Sequence, residues 1–159
     1  MDDIPAAYRV SGTAARIALV AESHARLTGR ELVLTGGDVV AALWALPAVV
    51  LAHGTEADPL FFFANRAALC RFECGVEQLV GRPSRFSAEA PLRAERQALL
   101  ERVSRDGFIR DYAGVRIAAD GRRFRIEQAT VWNLVDGAGA VHGQAATFDR
   151  WVDLQAVNS

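Results

Sequence analysis

From Phe108 onward, apolar and polar residues alternate with a period of two, and two Asp-Gly turns cut the alternation into three pieces. A period of two puts successive side chains on opposite faces of an extended strand, and no helix satisfies it. Asp120 and Gly121 form a two-residue hairpin signal, and the stretch Asp136 to Gly139 turns the chain again. The segment therefore reads as three consecutive antiparallel strands. The first sets Ile109, Ala113, Val115 and Ile117 against Arg110, Tyr112 and Arg116. The second, Arg122 to Val135, places Phe124, Ile126, Gln128, Thr130, Trp132 and Leu134 on one face, and the third runs from Val141 to Trp151.

Upstream the period is helical. Ile17, Val20, His24 and Leu27 share a face between Thr13 and Thr28, with Gly29 as the stop. Asp38 can cap a second helix through Leu46 that is apolar almost all round, with Val39, Val40, Leu43 and Trp44, until Pro47 ends it. A short strand follows from Pro47 to His53, and a second at Leu60 to Phe63 enters a helix at Asn65 that carries Leu69 and Phe72. After the loop from Gly81 to Ala90, Pro91 opens another helix with Leu92, Leu99, Leu100 and Val103 on one side and Gly107 beyond its end. This order predicts an α+β fold: a five-stranded antiparallel sheet with helices over one face, preceded by N-terminal helices. Residues 1–46 form the helical extension, 47–151 the sheet domain and 152–159 a tail.

The 159 residues suffice for one domain with a sizeable core. A net charge of -1, with acids and bases interleaved, offers no basic stripe for nucleic acid. The acidic N-terminus does not resemble a secretory signal, and the apolar run from Val39 to Ala52 is short of the roughly 20 residues a bilayer needs. A cytoplasmic, non-membrane protein is expected. Cys70 and Cys74, four residues apart, read as reduced, buried thiols on one helix face, and no metal site completes around them.

Several stretches carry a family resemblance. FFFANRAAL at 61–69 resembles the step where a strand enters a helix in PAS domains, EQLVGR at 77–82 resembles the segment that follows, and the two Asp-Gly turns resemble PAS hairpins. HGTEADPLFFFANRAA, GRPSRFSAE, YAGVRI, GRRFRIE and VWNLVDGAG together resemble the MEKHLA family in its stand-alone bacterial form. The hexapeptide that names the family is absent. The resemblance implies a PAS-like fold and a role in small-molecule sensing or regulated association, not a particular reaction.

Specific chemistries fit less well. Ser84 lacks a G-x-S-x-G elbow, and His24, His53 and His142 show no triad spacing, so no catalytic residue and no enzyme is expected. GRPSRF at 81–86 resembles the loop of flavin photoreceptors, but Pro83 and Ser84 stand at the places of the asparagine and the flavin-bonding cysteine. Arg116, Ile126 and Phe148 stand where amides would bind the ring, and a buried ring without partners is costly. A haem lacks an axial histidine in the helix after Pro91. Flavin and haem are therefore alternatives, and the cofactor stays unknown.

What remains is a pocket between the sheet and its helices. Its expected walls are Phe62, Phe86, Tyr112, Phe124, Trp132 and Phe148, and its polar groups Asn65, Arg85, Gln128 and Gln144. Asn65 also fits a helix cap, and Arg85 also fits a surface pair with Glu89. The occupant is expected to be an unidentified small apolar or weakly polar molecule. Its output is expected to be a homodimer through Leu43 and Trp44 or a regulatory protein partner; a ligand-free interaction module is the alternative.

Overall fold

The computed structural model describes residues 4–34, 36–87 and 93–154. A single 3-10 turn, Ala6–Arg9, leads into helix α1, Ser11–Thr28. Gly29 ends α1 in a left-handed conformation, φ 75°, its N–H donating to Ala25 O. Helix α2, Val39–Ala45, starts at Asp38, whose carboxylate accepts from Ala41 N at 3.1 Å and from the Arg9 guanidinium at 2.8 and 2.9 Å. Strands β1, Val49–His53, and β2, Phe61–Ala64, follow, then helices α3, Arg66–Phe72, α4, Val76–Leu79, and α5, Arg93–Asp106. The expected helix after Pro91 is α5; Ala88, Glu89, Pro91, Leu92 and the Leu100 side chain lie outside the described residues.

The alternation beyond Gly107 forms strands β3, Phe108–Ile117, β4, Arg123–Val135, β5, Val141–Phe148, and β6, Arg150–Asp153. All pairings are antiparallel, in the order β2-β1-β5-β4-β3. The expected third strand of the hairpin set is split: β5 runs beside the second half of β4, the path breaks at Asp149, and β6 continues beside the first half. The sheet thus has six strands rather than five.

Both faces of this sheet are covered, because β1, β2, β4 and β5 each send residues to two separate cores. Val50, Ala52, Trp132, Leu134 and Ala145 face α1 and α2 and pack with Tyr8, Ile17, Val20 and Leu43. We call this the outer face. Val49, Leu51, Phe61, Phe124, Ile126 and Phe148 face the opposite side, with Ala68, Phe72 and Leu79 from α3 and α4. This is the inner face. The large aliphatic and aromatic side chains here each contribute about 1.5–3 kcal/mol by leaving water. The N-terminal helices, whose position the sequence pattern left open, therefore form a third layer on the face that the other helices do not cover.

Leu43 and Trp44, expected at a dimer interface, are 0% and 6% exposed within this outer core, where the Tyr8 ring meets Trp44 edge-on at 6.1 Å. These two side chains are covered by their own chain and are not presented to a partner, while Ala45 at the end of the helix is exposed. Trp132 anchors the same layer, its indole N–H donating to Val20 O at 3.0 Å. No described helix is long and apolar enough to cross a membrane.

Candidate functional site

The sequence expectation that Phe124, Gln128 and Trp132 share a face fails at one residue. Gln128 has φ 50°, a left-handed backbone in mid-strand. Across from it, Tyr112 pairs with Ala129 and Gly114 with Ile126, so two residues of β4 stand against one of β3. This bulge shifts the alternation by one residue. Phe124, Ile126, Ala129 and Val131 point inward, whereas Trp132 and Leu134 point outward to α1. Gln128 itself is exposed and accepts a hydrogen bond from Arg150 at 3.1 Å. Neither Gln128 nor Trp132 lines the inner face.

Other expected positions also move. Phe62 belongs to the outer core, beneath the Arg16 guanidinium at 4.1 Å. Arg85 and Phe86 are on the surface: Arg85 Nε pairs with Asp58 at 3.0 Å and its guanidinium lies 4.2 Å from the Phe86 ring centroid, which is 63% exposed. Ser84, in the short turn Ser84–Ser87, accepts the Ser87 hydroxyl at its backbone carbonyl. Asn65 is fully buried and fully used. Its Oδ1 accepts from Ala68 N and Val50 N at 3.0 Å, and its Nδ2 donates to Leu43 O at 3.0 Å and Ala48 O at 2.8 Å. It ties α2, β1 and α3 together and keeps nothing for a ligand.

Tyr112, Phe124, Gln144 and Phe148 remain on the inner face. Phe124 and Phe148 are buried with ring centroids 6.4 Å apart, inside the cluster under α3 and α4. A second inner cluster, Val103 of α5 with Ile109 and Val131, lies under α5. The half-buried Tyr112 packs against both. Around it the strands carry small residues: Ala129 pairs with Tyr112, Ala146 pairs with Val131, and Gly114 lies so close to the ring that a Cβ there would sit 2.5 Å from the phenol oxygen. The phenol oxygen accepts from Arg116 at 3.3 Å. The two inner clusters thus meet at Tyr112 along a line of small residues, a seam between them.

One end of the inner face is polar. Gln144 is the direct cross-strand neighbour of His53 on β1 and of Asn133 on β4, which places all three side chains in one row on one face, each neighbour about 5 Å from Gln144 and the outer two about 10 Å from each other. Gln144 Nε2 donates to Asn133 Oδ1 and Asn133 Nδ2 to Val103 O, both at 3.5 Å, the long limit of a hydrogen bond. His53 holds its Nδ1 against Gly54 O at 3.0 Å. Sequence reasoning missed Asn133 because unbroken alternation from Phe124 puts it on the face away from the expected pocket; the bulge reverses that.

The thiols differ from expectation. Cys70 is exposed, and Cys74 lies beyond the end of α3, half-buried against the inner cluster. Burial, then the Glu77 charge, pushes the Cys74 thiol up, so it is no ready nucleophile. Among the described residues no group of three or more His, Cys, Asp or Glu side chains can hold a metal ion. For a flavin, the relevant inner positions Ile126 and Phe148 are buried apolar walls, 1% and 4% exposed, and give no hydrogen-bond partner to its polar edge. Those residues do not fit that group. For a haem, His24 lies in the outer core against Trp132 and His142 is held by Asp136 at 2.7 Å.

A family model for the MEKHLA domain matches residues 14–153. Among curated proteins, Homeobox-leucine zipper protein ATHB-9 of Arabidopsis thaliana is 29% identical over 130 residues, covering 80% of this chain and 16% of the relative. Homeobox-leucine zipper protein HOX29 of Oryza sativa subsp. indica is 26% identical over 117 residues, covering 73% of this chain and 14% of that protein. The chain spans a small part of the length of the curated relatives it matches. Among solved structures, an RNA-binding light-oxygen-voltage receptor superposes with a TM-score of 0.59 at 21% identity, covering 72% of this chain and 32% of that one. The PAS domain of a protein from Colwellia psychrerythraea gives 0.58 at 14% identity, covering 72% and 92%. The light-state dimer of the fungal blue-light photoreceptor Vivid gives 0.53 at 14%, covering 65% and 77%. At such identities the likeness establishes the fold, which is PAS-like.

Proposed function

We propose, on the premise that this chain belongs to the MEKHLA domain family, that it is a non-enzymatic PAS-like sensory module. It takes a small, largely apolar molecule into the inner-face seam and reports occupancy through association with a second copy or a regulatory protein. The observation that carries this reading is the division of the inner core. The cluster of Phe61, Phe124 and Phe148 and the cluster of Val103, Ile109 and Val131 meet at the half-buried Tyr112, among glycine and alanine, where a single continuous core would place larger side chains. Apolar walls with a few polar groups at one end suit such a ligand.

The same strand supplies an output. Val131 faces the seam and its neighbour Trp132 faces α1, so a ligand that displaces β4 displaces the Val20 contact as well. Ser23 extends the tie, donating to Val135 O at 3.2 Å and accepting from Val135 N at 2.8 Å. A ligand acts only through a difference in its affinity for the two α1 arrangements. Because Leu43 and Trp44 are covered, association uses another surface.

Native mass spectrometry of the freshly purified chain tests the reading. A non-covalent mass that is retained under gentle conditions and lost on unfolding is expected. A bare chain after purification from several growth conditions would instead favour a filled interaction module.

A further inference from the structure

Ala146 faces inward from a strand that is paired on both sides, yet it stays partly exposed. Its cross-strand neighbours Leu51 and Val131 are each only 6% exposed. Solvent therefore reaches the middle of the sheet over β5, between the cluster under α3 and α4 and the cluster under α5. Gln144, Asn133 and His53, all partly exposed, line the end of this opening. We infer that the opening selects a neutral molecule with a hydroxyl group at one end of an apolar body, and rejects the matching ether and carboxylate. The inference rests on the sensory reading above and names its ligand class.

The direction of each hydrogen bond in the polar row decides what the row offers. Val103 O, a backbone carbonyl of α5, can only accept, and it already takes the Gly107 N–H at 2.8 Å. The Asn133 side chain must therefore turn its Nδ2 toward that carbonyl and its Oδ1 away. Oδ1 in turn faces Gln144 Nε2, which leaves Gln144 Oε1 at the open end of the chain. His53 is oriented by the same logic. Gly54 O can only accept, so His53 Nδ1 carries the proton, and in the neutral ring Nε2 keeps its lone pair. Gln144 Oε1 and His53 Nε2 have no hydrogen-bond partner among the described residues, and neither is sealed from solvent. Two neighbouring side chains thus present acceptors to the opening.

A hydroxyl suits this row because it can donate to one of these acceptors while accepting a spare amide hydrogen from Gln144 or Asn133. An ether oxygen cannot donate, so it would strip water from the acceptors and leave them unpaired. A carboxylate would bring a full charge out of water to face two lone pairs. The apolar body then lies over Ala146 toward Phe148, which stands four residues along β5 from Gln144, or ~13 Å. That is the reach of a medium-length chain.

The test is isothermal titration calorimetry of the full chain with n-octanol, octyl methyl ether and sodium octanoate. Octanol is expected to bind saturably, about tenfold or more tightly than the other two. The ether is the more apolar of the neutral probes, so burial of apolar surface alone would favour it. Gln144→Leu removes the amide acceptor from a partly exposed position and is expected to erase the preference for octanol over the ether. His53→Phe keeps a ring but removes Nε2, and is expected to narrow the same preference about threefold, which gives a second reading should Gln144→Leu not fold. Equal binding of octanol and ether, tighter binding of octanoate, or a preference unchanged in both variants would overturn the ligand class and leave the sensory reading to stand on its retained mass. No saturable heat from any probe would overturn the ligand class too, and native mass spectrometry would then decide the sensory reading separately.

Discussion

The Tyr8 hydroxyl holds both backbone groups of Ala64, donating to its carbonyl at 2.8 Å and accepting from its N–H at 3.1 Å. Strand β2 is the edge of the sheet, and this phenol takes the place of a missing neighbour strand. Tyr8→Phe keeps the ring packing but orphans two buried backbone groups, so a loss of about 1–3 kcal/mol in urea unfolding is expected. Burial pushes the Tyr8 pKa to about 12, against about 10 in the unfolded chain. The folded state therefore keeps the proton longer: the contribution is whole below pH ~10 and is lost as pH rises to ~12, by at most about 3 kcal/mol. Tyr8→Phe should lack that alkaline loss, and a parallel decline in both proteins would contradict the assignment.

His24 gives the opposite end of the pH scale. It is 8% exposed, its Nδ1 lies 2.8 Å from Arg30 O, and its ring meets Trp132 edge-on at 4.8 Å. Burial, aided by the Arg110 charge and opposed by the Arg30 carbonyl, holds its pKa below the ordinary imidazole value. The unfolded chain thus takes up the proton first as pH falls. Stability is whole above pH ~6.5 and declines below it through the folded pKa. Urea midpoints at neutral and mildly acidic pH should fall further in the parent than in His24→Gln.

The bulge at Gln128 can be tested by removing it. Deleting Gln128 restores uninterrupted alternation and would turn either Phe124 and Ile126 or Trp132 and Leu134 to the wrong face. Failure to fold, or a loss above about 4 kcal/mol, is expected. Gln128→Gly relieves the left-handed backbone at the cost of chain entropy and should change stability by less than about 1 kcal/mol. A folded deletion variant with native-like near-ultraviolet dichroism would show that the two faces are interchangeable.

Ala129 probes whether the seam has room. It is fully buried opposite Tyr112. If the seam accepts a ligand, Ala129→Val adds apolar contact in a strand-compatible side chain and raises the unfolding temperature of the ligand-free protein while suppressing the retained mass. In a filled core the same methyl groups would overpack, at about 1–3 kcal/mol.

How far the sequence could be read depended on distance along the chain. The hairpins were legible because Asp120-Gly121 and Asp136 to Gly139 are local signals; Asp136 accepts from Ala138 and Ala140 N–H, and Gly121 and Gly139 adopt the positive φ those turns require. Asn65 as a cap was legible for the same reason. The face of Trp132 was not, because Gln128 carries no glycine or proline to announce a bulge; its left-handed backbone is imposed by pairing with two neighbouring strands. The fate of Leu43 and Trp44 was equally hidden, since Tyr8 and Phe63, which help to cover them, come from elsewhere in the chain. Nothing in the sequence singles out Arg71, because only the fold brings the Phe124 and Trp151 rings within 3.7 and 5.0 Å of its guanidinium.

The bond from the Trp132 indole to Val20 spans 112 residues, as do both bonds between Ser23 and Val135. On the ribosome α1 is made well before β4, and its resting place does not exist until β4 has emerged. Long loop closures of this kind slow folding, and synthesis proceeds at about 5–20 residues per second. For several seconds the newborn helix therefore exposes Ile17, Val20 and Ala21 to whatever is near. The outer layer is therefore expected to be the last to gain protection in pulsed hydrogen exchange during refolding.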